Sequence, residues 1–121
     1  MKRILIILII CLGICGCNST TNEKKSYLKY SEIKDIMLNN EYKIIDVRTK
    51  EEYDTGHVKD SINIPYDELA DIDIDKNTII FVYCKSGNRS SIAYNTLTKL
   101  GFKVYDLGAY DSIELEKNIQ Q

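Results

Sequence analysis

The chain of 121 residues has one proline, no tryptophan and a single histidine. Neither sign of charge dominates, because sixteen Lys and Arg residues stand against eighteen Asp and Glu residues, a net charge of −2. Without a strongly basic surface, nucleic-acid binding is not expected. A hydrophobic fraction of 44% excludes intrinsic disorder, and the length allows one ordinary globular domain.

Cysteine is scarce outside the amino terminus. Of four cysteines, three lie in the first seventeen residues, which leaves Cys84 alone in the rest of the chain. A disulfide framework is therefore excluded. The three early cysteines have no histidine or acidic residue beside them and no zinc-binding spacing, so the sequence predicts no metal site, and we expect no cofactor.

The amino terminus has the pattern of an export signal. Lys2 and Arg3 precede an apolar run, Ile4 to Ile14, as a charged region precedes the hydrophobic region of a signal peptide. A helix from Ile4 to Cys17 would reach only about 21 Å, short of the roughly 30 Å hydrocarbon core of a bilayer. We therefore predict a signal peptide over residues 1–16, with an uncleaved hydrophobic anchor as the alternative.

The quartet Ile14-Cys15-Gly16-Cys17 resembles the lipobox of bacterial lipoproteins. On that resemblance Cys17 is lipidated and becomes the first residue of the mature protein. Cys15 is the rival acceptor, but the bulky Ile14 precedes it where a small residue is expected. The protein is thus predicted to be exported, held by its lipid on the outer face of the bacterial cytoplasmic membrane or facing the periplasm.

A polar tether follows the predicted lipidation site. Residues 17–25 comprise the lipidated cysteine and a stretch rich in Asn, Ser, Thr and Lys without apolar periodicity. Extended, the eight residues after Cys17 reach at most about 27 Å. Residues 26–121 form the predicted domain, which we expect to be a monomer.

Strand and helix patterns alternate along this domain and predict an α/β fold with a mainly parallel sheet. Apolar and β-branched runs predict the strands, and apolar residues three or four apart predict the helices. The predicted strands are 43–47, 61–64, 78–83 and 103–107. The first predicted helix begins after Ser31, its N-cap, and ends at Asn39-Asn40. A turn with helical character is predicted at 50–54, and further helices at 66–72, 90–100 and 110–118.

The segment most informative about function is Cys84-Lys85-Ser86-Gly87-Asn88-Arg89-Ser90, between the central strand and the next helix. Ligands of parallel α/β sheets bind at the carboxyl ends of strands, where this segment lies. A loop entering a helix directs backbone N–H groups at one point, and the helix dipole adds about half a positive charge. Such a loop is suited to binding an anion, and Gly87 permits the curl that it requires.

The same field favours the thiolate form of Cys84, which we expect to face solvent as a nucleophile. The one histidine, His57, is distant in sequence, so no Cys-His dyad is indicated. Lys85 and Arg89 add positive charge for an anionic substrate. Ser86 and Ser90 are either ligands or turn and capping residues.

Further motifs extend the pattern beyond this loop. They are Ile45-Asp46-Val47-Arg48, Glu51-Glu52-Tyr53, Gly56-His57-Val58, Ser61-Ile62-Asn63-Ile64-Pro65, Cys84 to Ser91, and Gly101-Phe102 with Val104 to Gly108. In this combination and spacing the chain resembles the rhodanese family of single-domain sulfurtransferases. Gly108-Ala109 departs from the family's usual Gly-Gly, and the family's common tryptophan nearby is absent. Both departures affect packing rather than the thiol.

The resemblance implies a rhodanese-like three-layer sandwich with a mainly parallel, five-stranded sheet flanked by helices. It also implies a reaction in which Cys84 takes a sulfane sulfur from a small anionic donor such as thiosulfate and passes it to cyanide or a thiol. The substrate-binding residues would be Lys85, Ser86, Gly87, Asn88, Arg89 and Ser90. Asp46, Arg48 and His57 would support the loop from outside it, Asp46 by accepting hydrogen bonds and His57 as a structural histidine. Arg48 and Glu52, four residues apart, are expected to form a local ion pair.

Two other functions stay open at this point. The first is that of the cysteine-based phosphatases and arsenate reductases, which are related to the rhodanese family by their fold and enclose five residues between cysteine and arginine. Here Cys84 and Arg89 enclose four, a tighter ring suited to sulfur rather than to a tetrahedral phosphate. A rhodanese-like binding or redox-sensing module that presents Cys84 without turnover is the remaining alternative.

Overall fold

The computed structural model describes residues 27–119. The elements in chain order are α1 (Tyr30–Asn39), β1 (Tyr42–Asp46), α2 (Lys50–Thr55), β2 (Gly56–Val58), β3 (Ile62–Asn63), β4 (Ile79–Cys84), α3 (Asn88–Lys99), β5 (Val104–Ala109), a 3₁₀ turn (Tyr110–Ser112) and β6 (Lys117–Ile119). The predicted signal peptide, Cys17 and the tether lie outside the described residues.

The main sheet is parallel, with strand order β3-β1-β4-β5. In residues 27–119 it has four strands, so the expected fifth strand is not part of it. A second sheet of two strands pairs β2 with β6 in antiparallel fashion. The fold is thus the predicted α/β sandwich with a mainly parallel sheet, one strand narrower than expected.

The central strand, β4, separates two layers of core. All six of its residues are buried, as its continuous apolar sequence predicts. Ile80, Val82 and Cys84 lie in the cluster that includes Ala93 and Leu97 of α3. Ile79, Phe81 and Tyr83 lie in the cluster that includes Ile33 of α1. The period of two along the strand places α3 on one face and α1 on the other.

Two predicted helices are wrong. Residues 66–72 form turns, closed by Glu68 N–H to Pro65 C=O at 2.9 Å and Ile72 N–H to Leu69 C=O at 3.4 Å. Only Leu69 is buried among residues 66–72, and aspartates in and around the segment favour turns over helix. Residues 110–118 form the 3₁₀ turn and β6 instead, because the edge of β2 offers backbone partners that a local helix would not use.

The first helix starts slightly earlier than predicted. Its N-cap is Lys29, not Ser31, and Glu32 accepts a hydrogen bond from the Lys29 N–H at 2.7 Å. The other predicted elements agree with the structure to within a few residues. Among residues 27–119, none of the helices has the length and apolar character needed to cross a bilayer.

Candidate active site

The candidate site is the loop that joins β4 to α3 at the carboxyl edge of the parallel sheet. Cys84 is the last residue of β4 and is paired in register with Ala109 of β5. Gly87 is the N-cap of α3 and has φ 98°, the left-handed region that glycine adopts without strain. The chain therefore reverses between Cys84 and Asn88 and directs the amino end of a twelve-residue helix toward the thiol.

The sulfur of Cys84 lies inside a small ring of hydrogen bonds. The Gly87 N–H donates to Cys84 Sγ at 2.9 Å. The thiol donates to Ser90 Oγ at 3.5 Å, and that hydroxyl donates to the Gly87 carbonyl at 3.1 Å. A hydroxyl can donate as well as accept, so Ser90 lies within hydrogen-bonding reach of the sulfur in either role.

The position of the thiol differs from the expectation of a solvent-facing nucleophile. Cys84 is 0% exposed and free of disulfide bonds. It ends a strand buried on both faces, and the buried Ser90 of α3 packs against it. Around it, the side chains of Lys85, Ser86 and Asn88 are exposed on the rim. The sulfur is therefore covered from solvent in this structure.

Arg89 is held at the loop by an ion pair with α2. Its two terminal nitrogens donate to the two carboxylate oxygens of Glu52 at 2.7 and 3.0 Å, a bidentate geometry. The hydrogen bonds from Arg89 lower the pKa of Glu52 to about 2, and the Glu52 carboxylate raises the pKa of Arg89. The predicted Arg48–Glu52 pair is therefore wrong, because Glu52 binds an arginine 37 residues away in sequence.

Arg48 instead lies in a buried network with Asp46. The Arg48 backbone N–H, Nε and Nη2 all donate to the Asp46 carboxylate, the shortest contact being 2.6 Å. Nη2 also donates to the Gly56 carbonyl at 2.6 Å, and the guanidinium lies 4.4 Å from the ring centroid of Tyr110. Burial disfavours the charged form of Arg48, but Asp46 outweighs it and raises the pKa of Arg48. Both groups support the sheet edge and lie outside the loop.

The sequence predicted no chemistry for Tyr83, yet this residue is central to the network. Its hydroxyl donates to Asp46 Oδ2 at 2.8 Å and accepts from the Val58 N–H at 3.0 Å, with Ser61 Oγ at 3.2 Å. Burial raises the pKa of Tyr83, which keeps the hydroxyl protonated as a donor. Its position in a buried strand next to Cys84 could have indicated this role, because a fully buried tyrosine hydroxyl requires a hydrogen-bond partner.

His57 lies on β2 rather than in the loop. Its Nδ1 is 2.9 Å from the Tyr53 carbonyl oxygen, and its ring stacks on the Tyr53 ring with centroids 3.8 Å apart. These contacts join β2 to α2. Across residues 27–119, no group of three or more His, Cys, Asp or Glu side chains is placed to hold a metal ion.

The fold and the loop together define an α/β domain that places a cysteine at the amino end of a helix. Domains of this class are suited to reactions in which the cysteine attacks an anionic substrate. The chain belongs to the rhodanese-like family, since the family model for the rhodanese-like domain matches residues 29–115. A thiosulfate sulfurtransferase of Escherichia coli, PspE, is 37% identical over 78 residues, which cover 60% of this chain and 75% of PspE. A putative mitochondrial thiosulfate sulfurtransferase of Schizosaccharomyces pombe is 34% identical over 88 residues, covering 60% of this chain and 61% of that protein.

Solved structures agree with this assignment. A rhodanese with anions from E. coli superimposes with a TM-score of 0.61 at 33% identity, covering 65% of this chain and 99% of that one. A rhodanese-like domain protein from Staphylococcus aureus does so with a TM-score of 0.61 at 28% identity, covering 75% and 94%. Other relatives are much longer, and the match spans only 18% of a probable molybdopterin-synthase adenylyltransferase of Porphyra purpurea. Sulfurtransferases recur among these relatives, which supports sulfur transfer as the general chemistry of the domain.

The low pKa of Glu52 predicts how the Glu52→Gln variant responds to acid. Because the folded-state pKa of about 2 lies below the ordinary 4.5, the ion pair stabilises the fold above pH 4.5 and loses its effect as pH falls toward 2. The difference in unfolding free energy between wild type and Glu52→Gln should be constant at neutral pH and shrink below pH 4.5. Urea titrations at several pH values measure it, with Glu51→Gln on the exposed side of α2 as the matched control. A difference independent of pH would contradict the pairing.

The Ser90 hydroxyl predicts a second effect, on the reactivity of Cys84. Ser90→Ala removes the group that can donate to an ionised sulfur, and hydrogen bonds to charged groups contribute about 1.5–3 kcal/mol. Alkylation of Cys84 by iodoacetamide at neutral pH should slow by about tenfold or more. Ser91→Ala, one residue further along α3, should react like wild type. Equal rates for wild type and Ser90→Ala would show that the hydroxyl does not act on the sulfur.

Proposed function

We propose that this protein is a sulfurtransferase that moves a sulfane sulfur from an anionic donor such as thiosulfate to cyanide or a thiol, through a persulfide on Cys84. The observation that carries the proposal is the hydrogen bond from Gly87 N–H to Cys84 Sγ at the amino end of α3. It joins the nucleophile to a site that favours negative charge. PspE, a relative named as a thiosulfate sulfurtransferase, supports the choice of donor.

The first half-reaction forms the persulfide. The Cys84 thiolate attacks the outer sulfur of thiosulfate, an S–S bond forms to Cys84, and the S–S bond of thiosulfate breaks with its electron pair leaving on sulfite. Charge is conserved, since a monoanion and a dianion yield a persulfide anion and a sulfite dianion. The amino end of α3 and the positive charge of Arg89 stabilise the negative charge that develops on the leaving group.

The second half-reaction restores the thiolate. Cyanide attacks the outer sulfur of the persulfide, a C–S bond forms, and the S–S bond breaks with its electrons returning to Cys84, so thiocyanate leaves. A thiolate acceptor reacts in the same way and leaves as a persulfide. No external oxidant or reductant is required, because the sulfur is transferred at one oxidation level.

Arg89 contributes to this reaction as a positive charge that Glu52 holds in place beside the loop. Glu52 occupies both of its terminal nitrogens and neutralises part of its charge. An anionic donor arriving at the loop therefore competes with Glu52 for the guanidinium. The exposed Lys85 on the rim carries a further positive charge toward which a small anion would be drawn.

The complete burial of Cys84 favours a second candidate, a binding or redox-sensing module without turnover. A covered thiol reacts slowly with small molecules unless a partner opens the loop. The two functions differ in turnover. A sulfurtransferase releases one thiocyanate after another from thiosulfate and cyanide, whereas a sensing module stops after a single modification of Cys84.

Replacing the nucleophile tests the reaction. The full-length Cys84→Ser variant should neither gain a sulfur atom from thiosulfate nor form thiocyanate, because its hydroxyl is a far weaker nucleophile than a thiolate. Peptide mass spectrometry locates the added sulfur, and a colorimetric thiocyanate assay measures turnover. Cys17→Ser, which keeps the loop intact, should load sulfur at Cys84 like wild type. Wild-type chain that loads no more sulfur than Cys84→Ser, with several donors tried, would exclude the enzyme.

We further propose that the protein is exported and anchored by lipid on Cys17, on the basis of the signal pattern in residues 1–16. Two acyl chains on one residue hold a protein at a membrane stably, whereas a single chain does so only marginally. In bacterial cells the wild-type chain should fractionate with membranes and carry a lipid mass on Cys17. Cys17→Ser should lose that mass, and Cys15→Ser should keep it. An unmodified amino terminus at Met1 in the membrane fraction would rule the anchor out.

A further inference from the structure

Tyr27, the first residue that the structure describes, lies against the carboxyl edge of the sheet beside the active-site loop. A Cβ atom on Gly108 would stand 2.8 Å from Cζ and 2.9 Å from Cε1 of the Tyr27 ring. Carbon atoms do not approach so closely, so the ring occupies the space that a side chain at position 108 would fill. Gly108, with φ 81°, is therefore the platform on which the phenol rests.

The other end of the phenol reaches the loop. A Cβ atom on Gly87 would stand 3.2 Å from the Tyr27 hydroxyl oxygen. Gly87 is the residue whose N–H holds the sulfur of Cys84. In register, Gly108 is the partner of Tyr83, and Ala109 is the partner of Cys84. The ring thus spans from the end of β5 to the turn that surrounds the sulfur.

This placement matches the exposure of the loop. Ser86 and Asn88 are exposed, whereas Gly87 between them is half-buried beneath the Tyr27 hydroxyl. Cys84 is 0% exposed, so a sulfur donor must pass residues at the rim. Tyr27 is itself 43% exposed, and it is borne by the segment that precedes α1 rather than by a strand or helix. It is thus a large, partly exposed side chain at the edge of the loop.

The geometry points to Tyr27 as a specificity-determining residue for the sulfur donor, an inference that rests on the proposed function. Its ring stands beside Gly87 and would form one wall of the path by which a donor reaches the covered sulfur. The wall admits a small inorganic anion such as thiosulfate and disfavours a bulky organic persulfide of the glutathione type. The discrimination is steric, since an uncharged aromatic side chain rejects a donor by its size rather than by its charge.

Sulfur loading measured with two donors tests the inference. For full-length wild type, Tyr27→Ala and Tyr27→Phe, kcat/KM is measured with thiosulfate and with glutathione persulfide, using cyanide as the common acceptor. In Tyr27→Ala the ratio of kcat/KM with glutathione persulfide to kcat/KM with thiosulfate should rise about tenfold, because the wall is removed. Tyr27→Phe keeps the ring and should keep the wild-type ratio. Tyr30→Ala is the matched control, since Tyr30 has a similar exposure of 37% but lies on α1.

An unchanged ratio in Tyr27→Ala overturns the inference, and so does an equal change in Tyr30→Ala or Tyr27→Phe. A structural role alone would lower both kcat/KM values together and leave their ratio unmoved. Alkylation of Cys84 provides an arm independent of sulfur transfer, with peptide mapping to identify the labelled cysteine. Tyr27→Ala should accelerate labelling by a bulky maleimide more than labelling by iodoacetamide. If the wild-type chain transfers no sulfur, the proposed function is wrong. The ratio of maleimide to iodoacetamide labelling rates at Cys84 still tests the role of Tyr27 in that case.

Discussion

The buried carboxylate of Asp46 is the constraint on which the site depends. It is 0% exposed at the end of β1, and a charge removed from water is tolerated only with a full set of partners. Arg48 supplies three donors and Tyr83 a fourth. These partners come from the segment just after β1 and from the end of the neighbouring strand β4. Satisfying one carboxylate therefore holds together the edge from which the Cys84 loop begins.

The two arginines near this edge have separate tasks because each has its own carboxylate. Arg48 is buried inside the fold, where it forms an ion pair with Asp46 and cation–π contacts with the stacked rings of Tyr83 and Tyr110. Arg89 remains at the rim, where Glu52 of α2 holds it. The spacing of Arg48 and Glu52 suits a helical ion pair, but Arg48 precedes α2 and points inward. Burial of Asp46 takes precedence over a surface pair that contributes little.

Sequence patterns predicted the parts of the fold where local and tertiary preferences agree. β4 and α3 have unmistakable apolar patterns, and the loop between them follows from the position of Cys84 and Gly87. One error falls where an element depends on a distant partner: β6 exists because β2 offers it an edge, which no short window of sequence shows. The other is local, since residues 66–72 bury one side chain, Leu69, and their aspartates favour turns.

By itself the sequence determined the class of fold and predicted Cys84 as a nucleophile in an anion-binding turn, because each follows from residues close together in the chain. Only the tertiary structure decided which carboxylate holds which arginine, that Tyr83 donates to Asp46, that the thiol is covered, and that Tyr27 rests on Gly108. Those features join residues up to about eighty positions apart, and packing geometry selects among partners that local spacing leaves equivalent.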